Sequence, residues 1–202
     1  MTSLIEAMTG PQGLWFVSRG TGLVLLVLFS LVVVLGVATS SGSASRRWPR
    51  FSIAEMHRTL SLFGIALLVL HVVTAILDPY VTIGWASTLL PFASPYRTAA
   101  IGLGTLAVDF AGAVLITSLF RHRLKFRTWR AVHWLAYLAW PAAFAHSLTA
   151  GNDLGIWWVG LVEWGSAAMV ATAILARVLG RAQRNRLQAA CEPRHTEDAR
   201  VA

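Results

Sequence analysis

Apolar residues run along this chain in long stretches, separated by short clusters of polar and basic residues. A helix needs about 20 predominantly apolar residues to cross a hydrocarbon core about 30 Å thick. Five stretches approach or exceed that length: 14–38, 52–77, 98–120, 131–149 and 156–177. The pattern predicts an all-α, polytopic membrane bundle of five transmembrane helices. It divides the chain into an extracytoplasmic segment 1–13, a membrane domain 14–177 and a polar tail 178–202 expected to be without order. The connection 150–155 is short, so the fourth and fifth helices are expected to be antiparallel neighbours.

Composition agrees. Hydrophobic residues make up 56% of the 202, and charged residues only 13%, where a soluble domain carries about 25%. The formal charge of +8 raises the question of nucleic acid, but its distribution answers otherwise. Arg46, Arg47, Arg50 and Arg58 lie between or beside segments one and two. Arg121, Arg123, Lys125, Arg127 and Arg130 lie between three and four, and six arginines from Arg177 onward follow segment five. Basic residues mark cytoplasmic loops, so the amino terminus is expected outside and the carboxyl terminus inside, in a cell membrane. These clusters are read as orientation signals that touch lipid headgroups, with no nucleic-acid partner. A cleavable leader ending near "SGSAS" fits poorly: the start has no basic cluster and the apolar run is long. Trp15, Trp85, Trp157 and Trp158 fall at outer ends, and Trp48, Trp129 and Trp134 at inner ends, as an interfacial aromatic belt does.

Other motifs add little. Cys191 is the only cysteine, so no disulfide, CxxC zinc site or CxxCH haem attachment exists. "GLGTLA" (102–107) has no preceding strand and is read as a place for close helix approach, not a nucleotide fingerprint. No P-loop or soluble nicotinamide-binding motif is present. The outer connection 78–97 is rich in Pro and aromatic residues and is expected to lie on the surface.

The chemistry lies in the histidines. His122 and His195 fall in polar regions. His57 and His71 stand fourteen apart on segment two, and His133 and His146 thirteen apart on segment four. Ionisable groups inside the membrane are functional candidates by default. Segments two and four run the same way, so His57 faces His133 near the inner side and His71 faces His146 near the outer side. Two facing imidazole pairs are what two haems with two axial histidines each require. Fourteen helical residues span about 21 Å. At about 100° per residue, His57 and His71 return to within about 40° of one face, whereas His133 and His146 miss by about 140°. Pro141 lies between them and is expected to kink or rewind the helix. Gly64, midway between His57 and His71, is expected to leave room for a flat macrocycle, and Tyr137 and Trp140 to lie between the levels. The competing reading is four polar residues bonded to neighbouring helices.

"HRTLSLFGIALLVLH" (57–71) and "HWLAYLAWPAAFAH" (133–146) resemble the paired-histidine helices of the ferric reductase-like transmembrane domain, over about residues 14–177. That superfamily includes ferric reductases, NADPH oxidases and the haem-binding subunit of methionine sulfoxide reductase systems. The resemblance implies that His57, His71, His133 and His146 ligate the iron of two haem b groups. Many relatives have six helices, one more than expected here. The FAD and NADPH modules of larger relatives are absent, so the expected donor is a cytosolic flavoprotein or a membrane quinone. The expected acceptor is extracytoplasmic: ferric iron, oxygen or a partner reductase.

Charged neighbours complete the expectation. Arg19, with Arg97, is assigned to the propionates of the outer haem, and Arg58 and Arg130 to those of the inner one; snorkelling to headgroups is the alternative. Glu163 lies near the outer pair and is expected to accept an imidazole N–H. Asp109 is expected to face the bundle or to be protonated. A proton-handling role stands beside structural hydrogen bonding for both. The function that follows is an electron-transfer oxidoreductase subunit. A quinone-linked cytochrome b anchor and a haem-free scaffold or transport subunit are the alternatives.

Overall fold

A computed structural model describes residues 13–41, 49–79, 81, 83–151 and 155–201, with side chains through Gln188. The segment before Gly13 and the loop carrying Arg46, Arg47 and Trp48 lie outside the described residues. Six α-helices follow in order: α1 (Gly13–Ser41), α2 (Arg50–Leu77), α3 (Thr98–Leu119), α4 (Phe126–His133), α5 (Ala136–Ala150) and α6 (Trp157–Val201). Short 3₁₀ turns at Trp85–Thr88 and Arg121–Arg123 flank α3. The described residues form no strand.

Among the described residues, four helices are long and apolar enough to cross a membrane: α1, α2, α3 and the Trp157–Gln188 part of α6. The fourth apolar stretch is divided between α4 and α5, of 8 and 15 residues, neither of them long enough alone to cross a membrane. It breaks at Trp134–Leu135, ahead of Pro141, which lies inside α5. Around the break the N–H groups of Trp134, Leu135, Tyr137 and Leu138 reach the carbonyls three residues back. Tightened turns of this kind advance about 120° per residue instead of about 100°. Five residues wound this way recover about 100° of the 140° by which His133 and His146 are out of phase. Pro141 has no N–H, and its ring crowds the carbonyl four residues back, that of Tyr137. The rewinding falls three to seven residues before the proline.

The tail from 178, expected to lack order, continues the last helix through Val201. Ala, Arg, Gln and Leu dominate its first turns, and all are good helix formers.

α1 is the central element. It packs along α2 and α6 and touches α5, while α3 packs along α5. The α1–α2 seam is antiparallel and repeats every seven residues. A Cβ at Gly22 would meet the His71 ring at 3.1 Å, one at Gly64 the Phe29 ring at 2.9 Å, and one at Gly36 the His57 ring at 3.2 Å. Positions 22, 29 and 36 thus face 71, 64 and 57, and each glycine admits a ring from the other helix. Seven-residue spacing is the period that keeps two helices in contact over several turns. On α6, Val159, Glu163, Ser166 and Val170 are buried at helical spacing and form its inner stripe. Much of the remaining apolar surface is exposed, including Phe63, Val69, Ile116, Leu161 and Leu175, as expected of a surface whose solvent is lipid.

The connection before α3 is pinned to the bundle. Thr105 Oγ1 donates to the Ser87 carbonyl at 2.6 Å, and Phe92, at φ 64°, lays its ring over Gly102. Arg97 donates from Nη1 to the carbonyls of Thr149 and Ala150, each at 3.1 Å, a favourable place for a cation at the carboxyl end of α5.

Candidate functional site

α2 stands apart from α4 and α5, and between them opens a cavity of about 1350 Å³. Single small-molecule pockets occupy about 300–1,000 Å³. The four intramembrane histidines all line it.

They meet in the predicted pairs. The rings of His57 and His133 have centroids 6.2 Å apart, and those of His71 and His146 are 6.4 Å apart. Two imidazoles bound to one first-row metal, with bonds of about 2 Å and centroids about 1 Å beyond the ligating nitrogens, would be about 6 Å apart.

Three of the rings are anchored alike. His71 Nδ1 lies 2.8 Å from the Ser18 carbonyl, His146 Nδ1 2.8 Å from the Ala100 carbonyl, and His57 Nδ1 2.9 Å from the Val32 carbonyl. A carbonyl only accepts, so Nδ1 carries the proton in each case and Nε2 of the neutral ring keeps its lone pair. A metal-ligating histidine is held in this way, its other N–H fixed by a backbone carbonyl. Each of the three rings also lies against a glycine: Gly22 for His71, Gly36 for His57, and Gly104 for His146, where a Cβ would come within 2.8 Å of Nδ1. His133 differs. Its buried Nδ1 has no hydrogen-bond partner among the described residues, and its ring stacks on Trp129 at 5.0 Å and 29°.

The donor set suits a planar tetrapyrrole better than a bare ion. Each level offers two imidazoles, and the described residues contain no group of three or more His, Cys, Asp or Glu placed to hold a metal. A porphyrin supplies four equatorial nitrogens and needs two axial donors.

The other expected site residues divide. Arg19, Arg58 and Arg130 line the cavity, and Arg121, Arg177 and Arg181 join them. Arg177 Nη1 donates to the Tyr137 hydroxyl at 2.6 Å. Arg97 does not line the cavity and is engaged at the end of α5 instead. Gly64 gives its room to the Phe29 ring, which lines the cavity in its place. Trp140 and Tyr137 both line the cavity, and the Trp140 indole N–H donates to Ser30 Oγ at 2.8 Å. Glu163 lines it too, but accepts from Ser147 Oγ at 2.7 Å and not from an imidazole, because the imidazole N–H groups go to backbone carbonyls. Asp109 is half-exposed on α3 and is not part of the lining.

Sequence reasoning missed the three carbonyls and the place of the three glycines against the imidazoles; Gly104 falls in the GLGTLA stretch, read there only as a place for close helix approach. The seven-residue pattern Gly22–Phe29–Gly36 opposite His57–Gly64–His71 was the signal available for the other two glycines.

Fold and site together define a multi-pass helical membrane protein with paired histidines around one apolar cavity. The family described as the ferric reductase like transmembrane component matches residues 21–144, and this chain belongs to it. No curated protein and no solved structure matches the chain. Membership points to electron transfer within a membrane.

Proposed function

We propose that this protein is a b-type cytochrome that carries electrons across the membrane, with haem b held at two levels by His71 and His146 and by His57 and His133. One observation carries this reading: facing imidazoles at two heights of one cavity, three of them with Nδ1–H bound to a carbonyl so that Nε2 remains the donor. Haem, when bound, supplies a one-electron iron couple.

The chain's own residues do the rest. The carbonyls of Ser18, Val32 and Ala100 fix ring tautomer and orientation. Arg19 offers positive charge to propionates at the outer level, as Arg58 and Arg130 do at the inner level. The apolar lining excludes water and keeps the dielectric low. Trp140 and Tyr137 occupy the space between the levels, Trp140 held by Ser30. α4 and α5 together form the fifth crossing, with the amino terminus outside and the basic carboxyl-terminal region in the cytoplasm. The donor is a cytosolic flavoprotein or a quinone. The acceptor is extracytoplasmic and docks on the connection 78–97, beside the outer level.

The haem-free scaffold reading leaves the anchored imidazoles without a purpose. The test is the absorption spectrum of the purified protein with a haem-to-protein ratio. The expected result is reduced b-type bands, about two haems per chain, and about half that content when either His71 or His146 is replaced by Ala. Absence of b-type bands ends the reading.

A further inference from the structure

The four histidines are not equivalent. His57, His71 and His146 each have a carbonyl acceptor for Nδ1–H and a glycine beneath the ring. Among the described residues His133 has neither: its buried Nδ1 has no partner, and no glycine lies against its ring. It is also the last residue of α4, beside the break at Trp134–Leu135, while the other three sit within helices. The face of Trp129 stacks on its ring, and Arg121 lies over Trp129, 5.3 Å from its centroid.

A carbonyl bonded to Nδ1–H does two things for a ligating imidazole: it fixes ring rotation and raises the basicity of Nε2, so that loss of such a partner typically costs 10–100-fold in metal affinity. A ligand without one is both less strongly bound and freer to swing away. We infer that the inner haem site is ligand-exchangeable: His57 is the permanent axial ligand and His133 a dissociable one, which a small neutral donor such as a diatomic gas displaces. This rests on the haem reading above. The exchange breaks one iron–nitrogen coordination bond and forms one bond to the incoming ligand. Iron remains ferrous, and His133 leaves as a neutral imidazole with its lone pair. The outer site, anchored on both sides, does not exchange.

Carbon monoxide is the probe. Full-length purified protein carrying its haem is reduced with dithionite, and the Soret region is recorded before and after addition of the gas. The expected outcome is a carbon monoxide complex on about half of the haem, the other half unchanged. Two variants assign it. His133→Ala keeps about two haems per chain, one of them high-spin, and added imidazole restores the low-spin spectrum; His57→Ala keeps about one. The outer haem in the same chain reports that each variant has folded. Reduced protein with two haems and no response to carbon monoxide overturns the inference, as does equal haem loss in the two variants. Protein that purifies with no haem at all overturns the underlying functional reading instead, and the two failures are distinct.

Discussion

A carbonyl inside a helix already accepts one N–H and keeps a second lone pair. Ser18, Val32 and Ala100 use that second lone pair for an imidazole, which is possible only where the neighbouring side chain leaves the approach open. Gly22, Gly36 and Gly104 do so. Substitution should therefore act on the rings they face. Gly104→Leu, where even a Cβ would come within 2.8 Å of His146 Nδ1, should reduce the haem-to-protein ratio by about one haem per chain; wild-type loading would sink the proposed role of Gly104. Ser30→Ala should leave the part-buried Trp140 indole N–H without its acceptor, at a cost of about 1 kcal/mol. Thermal unfolding in detergent reads that loss, and an unshifted midpoint would count against it. At this scale the histidines were legible because an ionisable group in an apolar run stands out. The glycines and carbonyls were not: they carry no side-chain chemistry, and their partners are remote in sequence.

Among the elements, the two-piece fourth helix is the departure from expectation. Its apolar run and its proline were both visible, and a correction of phase was expected at Pro141. The winding changes at Trp134–Leu138, three to seven residues before the proline. Sequence shows that a helix must adjust, but not which residues absorb the turn. Pro141→Ala restores an N–H for the Tyr137 carbonyl and removes the need for tightened turns. It should rotate His146 relative to His133 by up to about 100° and lower occupancy of the outer site while sparing the inner one. Haem content resolved by redox titration checks this; equal loss at both levels would point to general unfolding. The α1–α2 seam, by contrast, was partly legible, since His57, Gly64 and His71 already displayed its period. The Gly22–Phe29–Gly36 half became visible only once α1 was laid alongside.

For the whole molecule, orientation decides which side gives electrons and which receives them. Cys191, the only cysteine, makes this measurable without mutation. A membrane-impermeant maleimide should leave it unlabelled in intact cells and label it after permeabilisation. Labelling of intact cells would reverse the proposed direction. The basic clusters carried this expectation in sequence; the cavity that joins the two levels did not show there, because it depends on α2 standing apart from α4 and α5 while α2 and α5 flank α1.

α1 carries none of the four paired histidines, yet Ser18 and Val32, like Gly22 and Gly36, stand fourteen residues apart, matching His57 and His71. It serves as a length gauge for its neighbour. One residue inserted between Gly22 and Gly36 would displace half of the gauge by about 1.5 Å and about 100°, and α2, its own sequence untouched, would find only one of its two imidazoles still in step.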